Sequence, residues 1–336
     1  MRSVKARVPL RVSFAGGGTD LDPYSSEFGG SVLAGTIGLY VEVIVEEKKT
    51  FGVSIFSLDT GYKKIDAEFR SEEALGENLL TACLSIIPEE LRDFVSVTVK
   101  SPVPPRSGLG ASSAIVLAVT AGILKFFDIP YTLEELAIKA FHIERVLLSI
   151  PGGCQDQYVC AFGSLNRFDF KGSSLINLDS LDLGREDLSE ISSRCLLAWT
   201  GVSRNSSLVI QDAAKDSDSE IKLANLHAQK SLVGVIQELL SARSFEEIGM
   251  ELTKGWELKK KLSPYITTPE IDSIFEIGIS HGAFGGKLLG AGGGGYILFL
   301  APVEAIPSVS DGLANNGIEI SPVTFVTTGL EAYVIT

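Results

Sequence analysis

The chain has 336 residues, 45% hydrophobic and 21% charged, a globular balance that excludes disordered and fibrous classes and supports a large core without metal or disulfide staples. Lys and Arg total 29 against 42 Asp and Glu, a net charge of −13, which argues against a dedicated nucleic-acid binder or a protein held on anionic lipid by charge. Glycine is in excess, at 34 residues against a usual ~7%, so its placement carries information.

In chain order, the opening MRSVKARVPLRVSF has only short apolar runs interrupted by Arg11 and does not read as a secretory signal. Val8 to Phe14 alternates like a strand, Leu39 to Val45 is β-branched and aromatic, and Phe51 to Phe56 and Tyr62 to Phe69 read as further strands. Phe94 to Val99 puts Val95, Val97 and Val99 on one face of another. From Ser112 to Phe127 the apolar run is too long for a strand and predicts a buried helix. Thr132 with Glu135 makes a capping-box start for a helix to about Ser149, stopped by Pro151-Gly152-Gly153. Residues 170–193 are more polar and are expected to link two domains, 1–180 and 190–336. Then come a strand at Cys195 to Trp199, two or three helices between about Ser206 and Lys261, a helix at Ile271 to Ser280, and a strand–helix–strand ending at Gly295 to Leu300, Glu304 to Asn315 and Val323 to Ile335. Segregated strands and helices predict an α+β class rather than a doubly wound sheet. No 18-residue apolar stretch occurs, so no membrane span is expected. Cys83, Cys154, Cys160 and Cys195 form no CxxC pair and there are three histidines. The expectation is buried free thiols in a reducing cytoplasm, not a zinc cluster.

Three glycine clusters stand out: Phe14 to Asp20, Pro104 to Ser113, and Gly285 to Gly295. The third contains GxGxxG from Gly290 to Gly295, but Tyr296 to Leu300 continues as a strand where a dinucleotide fingerprint opens a helix. Gly286-Lys287 is not a Walker loop, because Leu288 replaces the Ser/Thr. The second cluster, Arg106-Ser107-Gly108-Leu109-Gly110-Ala111-Ser112-Ser113, turns from a strand into a helix. Such a turn aims backbone N–H groups and the helix dipole at an anion, and a first-turn Ser can ligate Mg²⁺; a tight turn with a Ser cap has the same pattern. Glu144 lies on an otherwise apolar helical stretch, as a solvated face residue or a metal ligand. Asp156 follows the Gly152-Gly153 break, as a turn aspartate or a site residue.

In this order and at these spacings the clusters resemble the three motifs of the GHMP sugar and metabolite kinases: Pro9 to Asp20, Pro105 to Ala114 and Gly286 to Gly295. The resemblance covers essentially the whole chain. Ala15 to Tyr24, Phe28 to Leu33, Gly153 to Tyr158 and Thr200 to Ser207 are most similar to the D-glycero-D-manno-heptose 7-phosphate kinases, with L-fucose kinases the near alternative. Galactokinases usually carry Gly-Glu-His-Thr-Asp where Gly16 to Asp20 stand. The resemblance implies a two-domain α+β fold with the active site in the cleft, and ATP phosphates on Arg106 to Ser113. It also implies Mg²⁺ on Ser112 (or Ser113) and Glu144, and Asp156 accepting a proton from the anomeric hydroxyl. Arg11 would hold Asp156 or the transferring phosphate, while Gly18, Thr19, Asp20 and Gly153 would face the sugar. Motif 3 would supply Gly290, Gly292 and Gly293, and Arg204 is the candidate contact for a distal phosphate, with Lys5, Arg7 and Lys287 behind it. The substrates implied are ATP and a small sugar phosphate, with heptose 1,7-bisphosphate as product for surface polysaccharide; no nucleic-acid or membrane partner is expected, and the oligomeric state is left open. Arg106 departs from the family's usual Gly, and Ala111 from a common Ser. A non-catalytic sugar-sensing protein on the same fold is the reading of another class, and the intact Ser112, Glu144 and Asp156 argue against it.

Overall fold

The structure is a computed structural model that describes residues 2–47, 53–57, 65–67, 79–87, 95–104, 106–181, 183–202, 209–210, 212 and 219–336. Twelve strands and ten α-helices are found among them. In the first part of the chain these are β1 (Ser3–Ala15), α1 (Tyr24–Phe28), β2 (Gly30–Glu47), β3 (Val53–Ser57), β4 (Ile65–Ala67), α2 (Leu79–Cys83), β5 (Val95–Lys100), α3 (Ala111–Phe126), α4 (Leu133–Phe141), α5 (Gln155–Phe162), β6 (Leu165–Lys171) and β7 (Ser174–Ser180). The second part holds α6 (Arg185–Ser193), β8 (Cys195–Trp199), α7 (Glu220–Ser241), α8 (Phe245–Lys260), α9 (Pro269–Ser280), β9 (Gly285–Leu288), β10 (Tyr296–Leu300), α10 (Ile306–Asn315), β11 (Ile320–Pro322) and β12 (Glu331–Val334).

The strands form two sheets. The larger runs β12-β1-β2-β5-β3-β4, with β6 also on β2 and β7 on β6. β2 is long enough for two partners: Gly30 to Gly35 pair with β6, and Glu42 to Glu47 with β5. The smaller sheet is antiparallel, in the order β11-β8-β10-β9. Side-chain alternation in β8 and β10 serves two cores. Cys195, Leu197, Leu298 and Leu300 face the main core, whereas Leu196, Ala198, Ile297 and Phe299 face a second one with Trp256, Ile271, Ile274, Val309 and Leu313. The main core therefore runs without a break from the large sheet to the small one.

The sequence expectations hold for the class and differ in detail. The Thr132–Glu135 capping box forms, opening α4. The helix then changes pitch: His142–Leu147 is a π-helical turn, a local widening common at functional positions. Residues 170–193, expected as a linker, instead hold the end of β6, the strand β7 and the helix α6. β7 is a sheet edge exposed along most of its length, which explains its polar composition. The single strand expected at Val323 to Ile335 is β12 alone, and it pairs antiparallel with β1. A division of the chain near residues 180–190 would therefore separate β12 from the sheet it completes. Phe51, Phe94, Arg204 and parts of the segments 62–69 and 206–218 lie outside the described residues. All four cysteines are free and buried, and burial pushes the Cys195 thiol up to about 12. No helix among the described residues is long and apolar enough to cross a membrane.

Candidate active site

The second glycine cluster is the strand-to-helix turn ahead of α3. Gly108 and Gly110 both have positive φ, 81° and 76°, and Gly110 is the residue that opens the helix, so the turn depends on backbone conformations that side-chained residues resist. Arg106 also has positive φ and is exposed. Ser107 is buried, and its Oγ has no hydrogen-bond partner among the described residues, an unsatisfied polar group within the turn. The third cluster supports the second from below. A Cβ on Gly290 would lie 2.6 Å from Gly108 Cα, and one on Gly295 would lie 2.6 Å from the Ser107 carbonyl. Tyr296 N–H donates to that same carbonyl at 3.0 Å. Gly292 and Gly293 pack on Ile266 rather than on the turn.

Arg11, on β1, joins the turn to the acid after it. Its backbone N–H donates to the Leu109 carbonyl at 3.0 Å, and its Nη1 donates to the Gly108 carbonyl. Nε and Nη2 both reach Asp156 Oδ1, at 2.8 and 2.7 Å. Arg11 is 3% exposed, while the Asp156 side chain is 22% exposed, so the carboxylate is held from behind and open in front. Asp156 is not a turn aspartate: it lies in the first turn of α5, where helix N–H groups favour a negative charge.

Glu144 sits on the π-helical turn and is 1% exposed. Of its two sequence readings, the solvated one is excluded. Ser112 Oγ donates to Oε1 at 2.7 Å, Ser113 Oγ to Oε2 at 2.7 Å, and Gln157 Nε2 to Oε2 at 2.5 Å. The first-turn serines of α3 and this carboxylate thus form one polar cluster, buried at Ser113 and Glu144 and open to solvent at Ser112. Ser112 Oγ and Glu144 Oε1 make an adjacent pair of hard oxygen donors, which suits Mg²⁺, an ion that takes one or two protein ligands and completes its shell with water and phosphate. The donor set fits.

Asp20 is buried and aimed at the start of α5. Gln155 N–H donates to its Oδ2 at 3.0 Å and Gln155 Nε2 to its Oδ1 at 3.2 Å. Burial raises its pKa, and neighbouring Asp156 adds to the rise against the opposing Gln155 hydrogen bond. Gly153 allows this approach, since a Cβ there would overlap Asp20 Oδ2. Gly153→Ala is accordingly expected to lower stability by about 1–3 kcal/mol and to reduce turnover by shifting Asp20; an unchanged melting temperature would show that the contact can relax. Gly18, at φ 93°, closes the turn before Asp20. Thr19 needs a correction. It was expected to face a sugar, yet it is fully buried, and its hydroxyl shares its one proton between the Gly16 and Ser31 carbonyls and accepts from Ser31 N–H. It holds the loop that carries Asp20. A hollow lined by Asp20, Leu21, Asp22, Phe141, Pro151 and Gly152 opens beside this loop.

Sequence reasoning passed over several site residues. Gln155 and Gln157 flank Asp156 and could have been noticed from that position. Lys259, at the end of α8, carries no sequence signal, because basic residues are ordinary in a last helical turn. Lys259 and Lys287 line a cleft with Arg11, Ser13, Gly17 and Gln155. Burial, reinforced by Arg11, lowers the Lys287 pKa to about 7.

Comparison with known proteins agrees with this arrangement. The GHMP kinases N terminal domain model matches residues 78–164 and the GHMP kinases C terminal model residues 236–318. A D-glycero-alpha-D-manno-heptose 7-phosphate kinase of Campylobacter jejuni is 31% identical over 306 residues, covering 89% of each chain. An L-fucokinase/L-fucose-1-P guanylyltransferase of Bacteroides fragilis is 28% identical over 89% of this chain, which spans 34% of that longer protein. Among solved structures, a D-glycero-D-manno-heptose 1-phosphate kinase from Bacteroides thetaiotaomicron superposes with a TM-score of 0.79 at 26% identity, over 99% of both chains. With both domain models matched in order and a relative of this identity aligned along most of its length, the chain belongs to the GHMP kinase family and is an ATP-dependent phosphotransferase.

Proposed function

We propose that the protein transfers the terminal phosphate of ATP to the anomeric hydroxyl of D-glycero-D-manno-heptose 7-phosphate, giving heptose 1,7-bisphosphate for surface polysaccharide synthesis in the cytoplasm. The observation that carries the reading is Arg11, which touches both the phosphate-type turn at Gly108 and the carboxylate of Asp156. One guanidinium thereby sets the distance between the anion site and the acid beside it. The 31% identity to a heptose 7-phosphate kinase supports the choice of sugar.

In this mechanism Arg106 to Ser113 receive the ATP phosphates on backbone N–H groups and the α3 dipole. Ser112 and Glu144 would hold Mg²⁺, which when bound would neutralise charge on the phosphates. Arg11 occupies only Oδ1 of Asp156, leaving Oδ2 to accept the proton of the anomeric hydroxyl. As that proton passes to Asp156, the sugar oxygen bonds to phosphorus and the bond to ADP breaks. Asp20 and the hollow beside it receive the other sugar hydroxyls, and Arg204 is the proposed contact for the distal phosphate. Most of the acceleration would come from positioning and charge stabilisation around a loose transition state.

The test is ATP turnover on a panel of heptose 7-phosphate, heptose 1-phosphate, fucose, galactose and mannose. The expected result is a clear preference for heptose 7-phosphate with phosphate added at C1. Preference for fucose would favour the second reading, an L-fucose kinase, for which the Bacteroides fragilis relative speaks. No turnover on any sugar would sink both.

A further inference from the structure

Two lysines in the cleft have no carboxylate partner among the described residues to compensate an ammonium charge. Lys287 is on β9 and 5% exposed, and its ammonium donates to the Phe14 carbonyl at 3.1 Å. The Lys259 ammonium donates to the carbonyls of Gly290 and, at 3.4 Å, Leu288. Neither meets a carboxylate among the described residues. Arg11, the third cation of the cleft, is engaged by Asp156. Carbonyl oxygens orient an ammonium but do not neutralise it, and a buried cation without a counter-charge is costly. The missing counter-charge favours the neutral amines until an anion arrives. Burial depresses Lys259 strongly, with Lys287 and Arg11 adding to it, and Lys287 is depressed by burial and Arg11. In a protein of net charge −13, such a cluster is suited to receive an anion from outside.

We propose that Lys259 and Lys287 form a phosphoryl-binding pair that takes the terminal phosphate of ATP where it is transferred. The pair belongs to the phosphate turn rather than to the sugar-side hollow. Lys259 is anchored on Gly290, the residue packed against Gly108. Lys287 is anchored on Phe14, three residues along β1 from Arg11, which joins Gly108 to Asp156. Neither lysine lines the hollow beside Asp20 and Pro151. The other source of the same chemistry is the phosphate already on the acceptor sugar, and the experiment separates the two. The proposal rests on the kinase reading but not on the identity of the sugar.

The test compares calorimetric affinities for Mg-ATP and Mg-ADP in the wild type, Lys287→Met, Lys259→Met and Lys287→Arg, with turnover on phosphorylated and unphosphorylated sugars. Removing either ammonium is expected to weaken ATP about 10- to 100-fold, the worth of a charged hydrogen bond, while ADP binding stays as it is. Turnover should fall about 10²- to 10³-fold on every accepted sugar, and Lys287→Arg should recover part of it. The Met variants lose an uncompensated cation together with its bonds to the Phe14, or the Gly290 and Leu288, carbonyls, two opposing effects that should leave the melting temperature little changed. Equal weakening of ATP and ADP, or unchanged affinity for both, would overturn the proposal. A loss confined to phosphorylated sugars would overturn it in favour of the acceptor's own phosphate. Failure of the wild type to bind either nucleotide would instead remove the kinase reading beneath it.

Discussion

Asp156→Asn is expected to reduce kcat by about 10²–10⁴-fold, the usual contribution of a positioned proton acceptor, with little change in ATP affinity. The substitution is chosen for what it keeps. An amide oxygen can still accept from Arg11 Nε and Nη2 at the Oδ1 position, so the link from β1 to the phosphate turn survives. What goes is the ability of the second oxygen to take a proton. Alanine would be a poorer probe, because it strands the nearly buried Arg11 guanidinium without a counter-charge, at ~3 kcal/mol or more. The measurements are single-turnover phosphoryl transfer and nucleotide affinity on the same preparation. Wild-type-like transfer would take Asp156 out of the proton-accepting role and leave it as the group that orients Arg11.

The order of the three glycine clusters was legible because each one does something only glycine does. Gly108 and Gly110 take positive φ, and Gly290 lies where a Cβ would press on the turn's backbone. Backbone constraints of that kind are written directly into residue identity. The first half of β2 was not legible for the opposite reason. Gly30 to Ile37 is buried on both faces, so it lacks the alternation that marked Phe94 to Val99. α5 was hidden by the glycines before it, which drew Asp156 towards a turn. Glu144 could not be settled by pattern at all. Whether a carboxylate on an apolar helix is solvated or buried depends on what faces it, and Ser112, Ser113 and Gln157 come from other elements. Lys259 belongs to the same class, since its meaning comes from a carbonyl 31 residues away in the chain.

Glu144→Gln is expected to be tolerated by the fold yet to reduce kcat/KM about 10²–10³-fold. The local bonding decides the first half. An amide with its oxygen in the Oε2 position still accepts from Ser113 and Gln157, and its NH₂ can donate to Ser112 Oγ once that hydroxyl turns. The change therefore exchanges one hydrogen bond for another, for about 1 kcal/mol of stability. The second half follows from charge. The Ser112–Glu144 pair loses its only formal negative charge and with it most of its attraction for a hard divalent cation. Half-activation by Mg²⁺ should move to higher concentration in the variant, and saturating Mg²⁺ should recover part of the loss. Glu144→Ala would separate the structural from the electrostatic contribution, because it leaves two buried donors, Ser113 Oγ and Gln157 Nε2, unpaired and should melt lower as well. If Glu144→Gln kept the wild-type Mg²⁺ dependence, the carboxylate would be a clamp on the first turn of α3, and the cation would have to be held by other oxygens of the cleft.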